Sequence, residues 1–182
     1  HAFRYGWDVG YDDAGRILGL DLTFASRCGF SADLSGPIND RAMFHADNAY
    51  WLPDVAIHSY RCRTHTVSDT AFRGFGGPQG MFAIEMVMDR IARALGRDPL
   101  DVRRANLYGS VDRNVTPYGM TVEHNLGPAL LDRLEASSRY RERRLAIAAW
   151  NRGSPVLQRG IALTPVKFGI SFTATHYNQA GA

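Results

Sequence analysis

A glycine-rich run that leads directly into a long amphipathic segment is the feature that most constrains the fold of this chain. The run covers residues 70–80, TAFRGFGGPQG, and helical periodicity continues from Pro78 to Leu95. Apolar side chains recur there at spacings of three and four, which predicts a helix with one buried face. The residues of that face are Met81, Ile84, Met88, Ile91 and Leu95. Pro78 suits the first helical position, and Gly96 suits the residue that ends the helix.

The patterns before this segment predict an α+β fold, in which helices pack on mixed or antiparallel sheets. Residues 3–9 and 17–24 alternate in the manner of strands and are separated by a turn-forming DDAG run, so they predict an antiparallel hairpin. A short helix is expected from Asn39, acting as N-cap, to His45. A strand is expected from Val55 to Cys62.

Two helices are predicted in the region that follows the long helix. Asp98 is suited to cap the first of them, which runs to about Leu107, with Asp101 in a capping-box-like position. Pro128 is suited to open the second. The side chains of that helix expected to face inward are Leu130, Leu131 and Leu134.

The last part of the chain predicts one more helix and then a strand. An arginine-rich amphipathic stretch from Arg139 to Trp150 is expected to be helical and to end at Gly153. Its solvated face is expected to carry Arg141, Arg143 and Arg144. From Leu157 to Phe172 the pattern returns to that of a strand, interrupted by Pro165.

Composition excludes several classes of function. The 21 basic residues are interspersed with 18 acidic ones, and the resulting net charge of +3 predicts no nucleic-acid partner. Apolar runs stay short of the roughly 18 residues that a membrane span requires, so no membrane association is expected. Cys28 and Cys62 stand far apart without metal-ligand spacing, which predicts reduced thiols in a cytoplasmic protein. The histidines likewise lack ligand spacing and are expected to be structural or exposed.

The glycine-rich run has its own chemistry. Gly74 and its neighbouring glycines permit positive φ angles and a close backbone approach, and the helix start behind them favours anions. A flat aromatic ligand stacked on Phe75 would explain the aromatic residues in the loop. The alternative is that Phe72 and Phe75 pack into the core while Arg73 pairs with a carboxylate. The glycine spacing matches neither the dinucleotide fingerprint nor the Walker loop.

Several runs resemble the large, molybdopterin-binding subunit or domain of the xanthine dehydrogenase and aldehyde oxidase family. They are TAFRGFGGPQ at 70–79, DPLDVRRANLY at 98–108, NDRAMFHADNAY at 39–50, TPVKFGISF at 164–172 and NQAGA at 178–182. The resemblance extends over essentially the whole chain. It implies that residues 1–182 are a fragment of the molybdopterin-binding domain, incomplete at both ends.

The resemblance implies a role for each member of the loop. Arg73 falls at the position that contacts the molybdenum centre, largely through its backbone, and Gly74 lies beside it in the cofactor-binding loop. Phe75 falls at the position that stacks on the substrate ring. The family's cofactor is molybdopterin, and FAD and 2Fe-2S clusters are expected on other domains or subunits.

Three further residues are implied to line the substrate pocket. Arg41 falls where purine-oxidising members hold a purine oxygen and stabilise the charge that develops during catalysis. By residue type alone, it would be expected to be exposed or ion-paired. Phe172 matches the edge-on aromatic of the pocket, and Thr173 matches the adjacent hydroxyl contact, although by type it is an ordinary strand residue.

The activity implied is oxidation of hypoxanthine or xanthine to urate with water as the oxygen source, in an oligomeric enzyme that includes FAD and iron–sulfur components. The catalytic glutamate and other cofactor contacts of the family lie outside this chain, so the isolated fragment is expected to be inactive. One alternative is an aldehyde or other N-heterocycle hydroxylase of the same family. Another is a non-catalytic structural or assembly module when the chain is isolated.

Overall fold

A computed structural model describes residues 1–169 of the 182-residue chain, and Phe172 and Thr173 therefore lie outside the described residues. Within that range, a three-stranded sheet in the order β1-β2-β3 is combined with five helices. The elements are β1 (Phe3–Tyr11), β2 (Ile17–Gly29), α1 (Ser35–Phe44), β3 (Val55–Arg63), α2 (Gly77–Leu95), α3 (Pro99–Asn106), α4 (Gly127–Ser137) and α5 (Tyr140–Gly153). The predicted α+β class with a mixed sheet is confirmed.

The first two strands form the predicted antiparallel hairpin. Alternate residues of β1 are half-buried, and β2 buries Leu20, Leu22 and Phe24 on the same side of the sheet. Tyr5 lies opposite Phe24, and their rings meet edge to face with centroids 5.6 Å apart. Such cross-strand pairs fix the register, because a slip of one residue would turn the apolar face towards solvent.

Strand β3 follows the predicted position but pairs with β2 in the parallel sense. A parallel pair requires a crossover, and α1 supplies it. That helix begins at Ser35, four residues before the predicted start, so the prediction of Asn39 as N-cap was wrong. Asn39 is instead fully buried: its amide donates to the Ser35 carbonyl (2.8 Å) and accepts from the Ser59 hydroxyl (3.1 Å). It thereby ties the crossover helix to the sheet.

Helix α2 confirms the amphipathic prediction and is the centre of the core. Ile84, Val87, Met88 and Ile91 have no more than 1% of their surface exposed, and burial of such side chains stabilises a fold by roughly 1.5–3 kcal/mol each. Gly96 ends the helix in the left-handed conformation, as predicted. The helix packs on α1, on β1 and on α3.

Helix α3 confirms the predicted cap, since the Asp98 carboxylate accepts from the Leu100 N–H at 2.9 Å. The same helix carries Arg103, which is 2% exposed and donates to Glu85 (2.7 Å) and Asp89 (2.8 Å) of α2. Burial by itself would lower the pKa of Arg103, but Glu85 and the other acidic groups around it raise that pKa above its usual value. Glu85 also accepts a hydrogen bond from the Tyr50 hydroxyl. Arg103 is therefore the cation of a buried polar network.

Helices α4 and α5 occur where they were predicted, but their faces differ from the prediction. Only Leu131 of the three leucines is buried, whereas Leu130 and Leu134 are 61% and 49% exposed. The arginines of α5 are not simply a solvated face, because Arg141 pairs with Asp101 of α3 and Arg144 with Asp98. Charged contacts also hold α4 to α3, since Arg104 of α3 pairs with Asp132 and Glu135.

The strand predicted from Leu157 is absent from the described residues. Residues 157–169 have no regular secondary structure, and this segment runs across α1 and α2 without joining the sheet. Two side chains of the segment reach the core, namely Leu163 and Ile161. None of the described helices is long and apolar enough to cross a membrane.

The close contact between α1 and α2 predicts that substitution of one glycine lowers the stability of the fold. A Cβ at Gly80 would lie 2.1 Å from the Ala42 carbonyl oxygen, whereas a Cβ at Gly36 of α1 would meet nothing within 4 Å. We expect Gly80→Ala to lower the free energy of unfolding by about 1–3 kcal/mol, because the two backbones must separate. Gly36→Ala serves as the matched control and is expected to leave stability unchanged or slightly higher. Urea unfolding followed by circular dichroism checks this, and equal midpoints for the two variants would contradict it.

Candidate functional site

The glycine-rich loop adopts an unusual backbone conformation immediately before α2. Gly74, Phe75 and Gly76 have φ angles of 96°, 49° and 93°, so three consecutive residues lie at positive φ. Two tight turns close the loop through hydrogen bonds from Phe75 N–H to the Phe72 carbonyl and from Gly77 N–H to the Gly74 carbonyl. A non-glycine residue in this region costs of order 1–3 kcal/mol. Phe75 shares a positive φ angle with five other non-glycine residues of the described chain, but it alone lies between two glycines that are also at positive φ.

Several polar groups of the loop are available to a ligand. The backbone N–H groups of Arg73, Gly74 and Gly76 make no hydrogen bond to any residue within 1–169, and α2 begins directly behind them. Successive N–H groups before a helix start form a concave site for an anion. The alternative in which both phenylalanines pack into the core while Arg73 pairs with a carboxylate is wrong for Phe72, which is 82% exposed, and for the exposed Arg73, which forms no ion pair within residues 1–169; Phe75 is half-buried.

The loop is seated on α1 by close backbone contact. A Cβ at Gly76 would lie only 2.0 Å from the Ile38 carbonyl oxygen. Since Gly80 makes the same approach to Ala42 one turn later, the loop and the start of α2 lie flat against α1. This contact sets the position of the loop relative to the last turn of α1, which carries Arg41.

Arg41 is half-buried and directed towards the segment at 163–169. Its guanidinium donates to the Gly169 carbonyl and stacks over the Phe168 ring, with Cζ 4.8 Å from the ring centroid. The Nε atom is shielded from solvent and has no acceptor within the described residues. A buried donor without an acceptor costs free energy, so this N–H is a candidate contact for a bound ligand. Arg41 was expected by residue type to be exposed or ion-paired, but it is half-buried and forms no ion pair within residues 1–169.

His45 lies one turn after Arg41 and is 7% exposed. Its Nδ1 atom is 2.8 Å from the Arg41 carbonyl oxygen, and its Nε2 atom is 3.1 Å from the Gly169 backbone nitrogen. Burial lowers the pKa of His45, and the nearby cations Arg41 and Lys167 lower it further. His45 was expected to be structural or exposed. It is buried, and it also contacts the candidate site on two sides, at Arg41 and at Gly169.

Phe168 connects these groups to the loop. Its ring lies against Gly77, where a Cβ would come within 2.3 Å of a ring carbon, and its centroid is 4.9 Å from that of His45. The same ring receives the Arg41 guanidinium on its face. A cation over an aromatic face gains roughly 0.5–2 kcal/mol. Phe168 therefore contacts both the start of α2 and the end of α1.

Polar contacts with the turn that follows α1 fix the segment that carries Phe168. Asn48 donates to the Pro165 carbonyl (2.9 Å) and accepts from the Lys167 N–H (3.1 Å). The Lys167 ammonium pairs with the buried Asp47 carboxylate at 3.0 Å, which also accepts from the Tyr108 hydroxyl at 2.6 Å. Burial raises the pKa of Asp47, and Lys167 opposes that change. These bonds hold Pro165 and Lys167 against the turn that follows α1.

The structure thus brings Arg41 beside the end of the glycine-rich loop, with Phe168 between them. The Arg73 side chain points away into solvent and has no contact with Arg41 among the described residues. Cavities of ≈ 320 and ≈ 400 Å³ adjoin α1 and α2, but Arg41, Arg73 and Phe75 line neither of them. No group of three or more potential metal-binding side chains occurs in residues 1–169.

Sequence reasoning missed His45 and Phe168 as members of this site. A usable signal was present for the first, since residues four apart on a helix share a face, and His45 is four residues after Arg41. Phe168 had no comparable signal, because its contact with Arg41 spans 127 positions of the chain. Phe172 and Thr173, which were assigned to the pocket, lie outside the described residues.

Comparison with known sequences finds a matching family and similar relatives. A family described as the molybdopterin cofactor-binding domain matches residues 1–107. The chain is 43% identical over all 182 residues to a xanthine dehydrogenase of Drosophila subobscura, and it spans 13% of that relative's length. It is 39% identical over 184 residues to a nicotinate hydroxylase of Emericella nidulans, spanning 14% of its length.

A solved structure extends the comparison to the fold. The aldehyde oxidoreductase from Desulfovibrio gigas matches with a TM-score of 0.70 and 26% identity, covering 84% of this chain and 16% of that one. The chain therefore spans about an eighth of the length of the curated relatives it matches and a slightly larger share of the length of this solved chain.

Proposed function

The chain belongs to the molybdopterin cofactor-binding domain family, and we propose that it forms part of a purine-oxidising molybdenum hydroxylase. The observation that carries the proposal is Arg41, a half-buried guanidinium that is oriented beside the glycine-rich loop with an Nε–H lacking an acceptor in the described residues. A planar cation with fixed donors suits an anionic heterocycle better than it suits an uncharged aldehyde. Identity to a xanthine dehydrogenase supports the same substrate class.

The residues of the loop fit the family's cofactor. Molybdopterin carries a phosphate group, and the unpaired N–H groups of Arg73, Gly74 and Gly76 with the start of α2 are suited to an anion. The Gln79 side-chain oxygen is also buried without a partner in residues 1–169, which supplies an acceptor next to the loop. We assign cofactor contact to Arg73 and Gly74, with Arg73 acting through its backbone at the molybdenum centre. When bound, the cofactor supplies the oxidising centre and the water-derived oxygen.

The chain's own residues then act on the substrate. Phe75 offers a ring on which a flat heterocycle stacks, and its strained backbone fixes the direction of that ring. Arg41 donates hydrogen bonds to a purine oxygen and stabilises negative charge as it develops on the ring during attack by the oxygen nucleophile. Phe172 and Thr173 complete the contacts that we propose.

A second candidate within the family is oxidation of another N-heterocycle or of an aldehyde. The identity of 39% to a nicotinate hydroxylase is close to the 43% found for a xanthine dehydrogenase, which favours keeping a pyridine carboxylate as a competing substrate. Arg41 serves that substrate as well, since it can pair with a carboxylate. A non-catalytic assembly role remains the alternative for the isolated chain.

The parent enzyme is proposed to be an oligomer in the cytoplasm that passes electrons through 2Fe-2S clusters and FAD on other domains or subunits. The test uses the full-length parent, co-expressed with those components. We expect about one molybdenum per active site and formation of urate from xanthine, measured by metal analysis and absorbance. Faster oxidation of nicotinate than of xanthine would select the second candidate. Parent protein that contains no molybdenum and oxidises neither substrate would leave only the assembly role.

A further inference from the structure

Both ring nitrogens of His45 are used, and each contacts a different part of the candidate site. Nδ1 is 2.8 Å from the carbonyl of Arg41 on α1, and Nε2 is 3.1 Å from the backbone nitrogen of Gly169. The side chain is 7% exposed, so water competes little for either bond. His45 thus spans the gap between α1 and the segment at 163–169, which approach each other at this point.

These two contacts require one protonation state. A carbonyl oxygen can only accept, so Nδ1 must carry the hydrogen. A backbone N–H can only donate, so Nε2 must present its lone pair. Only the neutral ring with hydrogen on Nδ1 satisfies both bonds at once. A second hydrogen on Nε2 would face the Gly169 N–H and break that bond.

The Arg41 guanidinium depends on the same segment. It donates to the Gly169 carbonyl, so the peptide unit that receives Arg41 belongs to the residue whose N–H is held by His45. It also lies over the Phe168 ring, which packs against the His45 ring at a centroid distance of 4.9 Å. The position of the guanidinium is therefore set by groups that His45 holds in place.

We propose that His45 is the positioning residue for Arg41, fixing Phe168 and Gly169 so that the guanidinium keeps one orientation towards the substrate. The proposal rests on the function proposed above and assigns His45 no contact with substrate or cofactor. It acts on substrate recognition through Arg41 alone. Losing this support leaves the guanidinium present but free to rotate.

A double-mutant cycle tests this in the full-length, cofactor-loaded parent. The variants are His45→Ala, Arg41→Ala, the double variant and His45→Gln. We expect His45→Ala to reduce purine turnover about 10- to 100-fold, as misplacement of a substrate-positioning group does. In the Arg41→Ala background the same change is expected to have almost no further effect, because the residue through which it acts is gone.

A purely structural role predicts a different result. Damage to the fold would multiply with the loss of Arg41, and it would lower aldehyde turnover and molybdenum content as much as purine turnover. Additive effects in the cycle would overturn the proposal. His45→Gln should recover much of the purine turnover, because its amide oxygen can accept from the Gly169 N–H. His58→Ala, which removes an exposed histidine of β3, is the matched control and should behave as the wild type.

A second readout follows from protonation and does not use the loaded enzyme's activity. The charged groups facing the ring are Arg41 from α1, Asp47 from the turn that follows α1, and Lys167 from the segment at 163–169. Burial lowers the pKa of His45 in the folded chain, so below about pH 6.5 the unfolded chain takes up a proton that the folded chain does not. Stability from this residue is thus complete above that pH and is lost as the pH falls. We expect His45→Gln to weaken the acid-side fall in thermal midpoint.

The two proposals fail in distinguishable ways. A wild-type parent that binds molybdenum but does not oxidise purines removes the proposed function, yet binding of urate or nicotinate, measured by calorimetry, still reports on Arg41. A purine-oxidising wild type whose His45→Ala variant keeps full turnover and full affinity removes the positioning role alone. A pH dependence of the thermal midpoint that is identical in the wild type and His45→Gln also contradicts it.

Discussion

Arg41→Ala is expected to lower purine turnover by the full-length parent about 100- to 1000-fold, the loss seen when a donor to developing negative charge is removed. Molybdenum content should stay unchanged, because Arg41 makes no contact with the glycine-rich loop other than through Phe168 among the described residues. The fold should also survive, since Arg41 forms no ion pair in residues 1–169. Urate formation and metal analysis on the same preparation check both expectations.

Two comparisons sharpen the Arg41 experiment. Arg41→Lys keeps the charge but lacks the planar fork, so a loss close to that of alanine would show that geometry rather than charge is required. Arg93→Ala, on the exposed side of α2, is the matched control for removing an arginine. If Arg41→Ala reduced aldehyde and purine turnover equally, the assignment of Arg41 to substrate selection would be wrong.

Arg103→Ala is expected to lower the free energy of unfolding by about 3–5 kcal/mol, the largest stability effect we anticipate. Arg103 is 2% exposed, and its removal would leave the Glu85 carboxylate in the interior with only neutral donors, Asn48 and Tyr50. Since a domain of this size is stable by only about 5–15 kcal/mol, this loss removes a large fraction of its stability. Chemical denaturation with fluorescence detection provides the measurement.

A surface arginine on the same pair of helices provides the comparison for Arg103. Arg90 of α2 is exposed, and Arg90→Ala should change stability by less than about 0.5 kcal/mol. The double change Arg103→Met with Glu85→Gln removes both charges and should recover part of the loss, because no unpaired charge then remains buried. Equal stability of Arg103→Ala and Arg90→Ala would show that the network does not stabilise the fold.

Elements with a strong local pattern could be predicted from the sequence. The hairpin and α2 have apolar residues at the periods of a strand and a helix, and Asp98 and Gly96 have the chemistry of a cap and a stop. The start of α1 could not be found in this way. Asn39 is a good N-cap by type, but its amide is used inside the helix to hold Ser59, a contact that only the folded sheet provides.

The sequence also could not predict the burial of residues whose contacts are made by distant parts of the chain. Leu134 is four residues after Leu130 and three after Leu131, which is helical spacing, yet no described element covers Leu130 and Leu134, so they remain exposed. Arg141 and Arg144 are on the polar face of α5 but meet the carboxylates of α3. Periodicity identifies which face is apolar, and it does not say which neighbour is present to cover it.

In the candidate site, too, some residues could be named from the sequence whereas a contact between distant residues could not. Arg41, Arg73 and Phe75 were named from the sequence through the resemblance, and the structure places Arg41 beside the loop's end. The link between them is Phe168, which is more than 120 positions from Arg41 and has no pattern of its own. The resemblance could name the residues that we propose to carry the chemistry, whereas Phe168, which contacts Arg41 from a distant part of the chain, had no signal in the sequence.

The pairing of β2 with both β1 and β3 has a consequence for the order in which the chain folds during its synthesis. Its hairpin partner β1 is already available when β2 leaves the ribosome, and hairpins close within microseconds. The other edge of β2 must wait for β3, and the core face must wait for α2, whose last residue is Leu95. At ordinary rates of translation this delay is of the order of several seconds. During that interval Leu22 is uncovered and Phe24 is covered only by side chains of β1, so the nascent chain exposes an apolar face of the kind that chaperones bind.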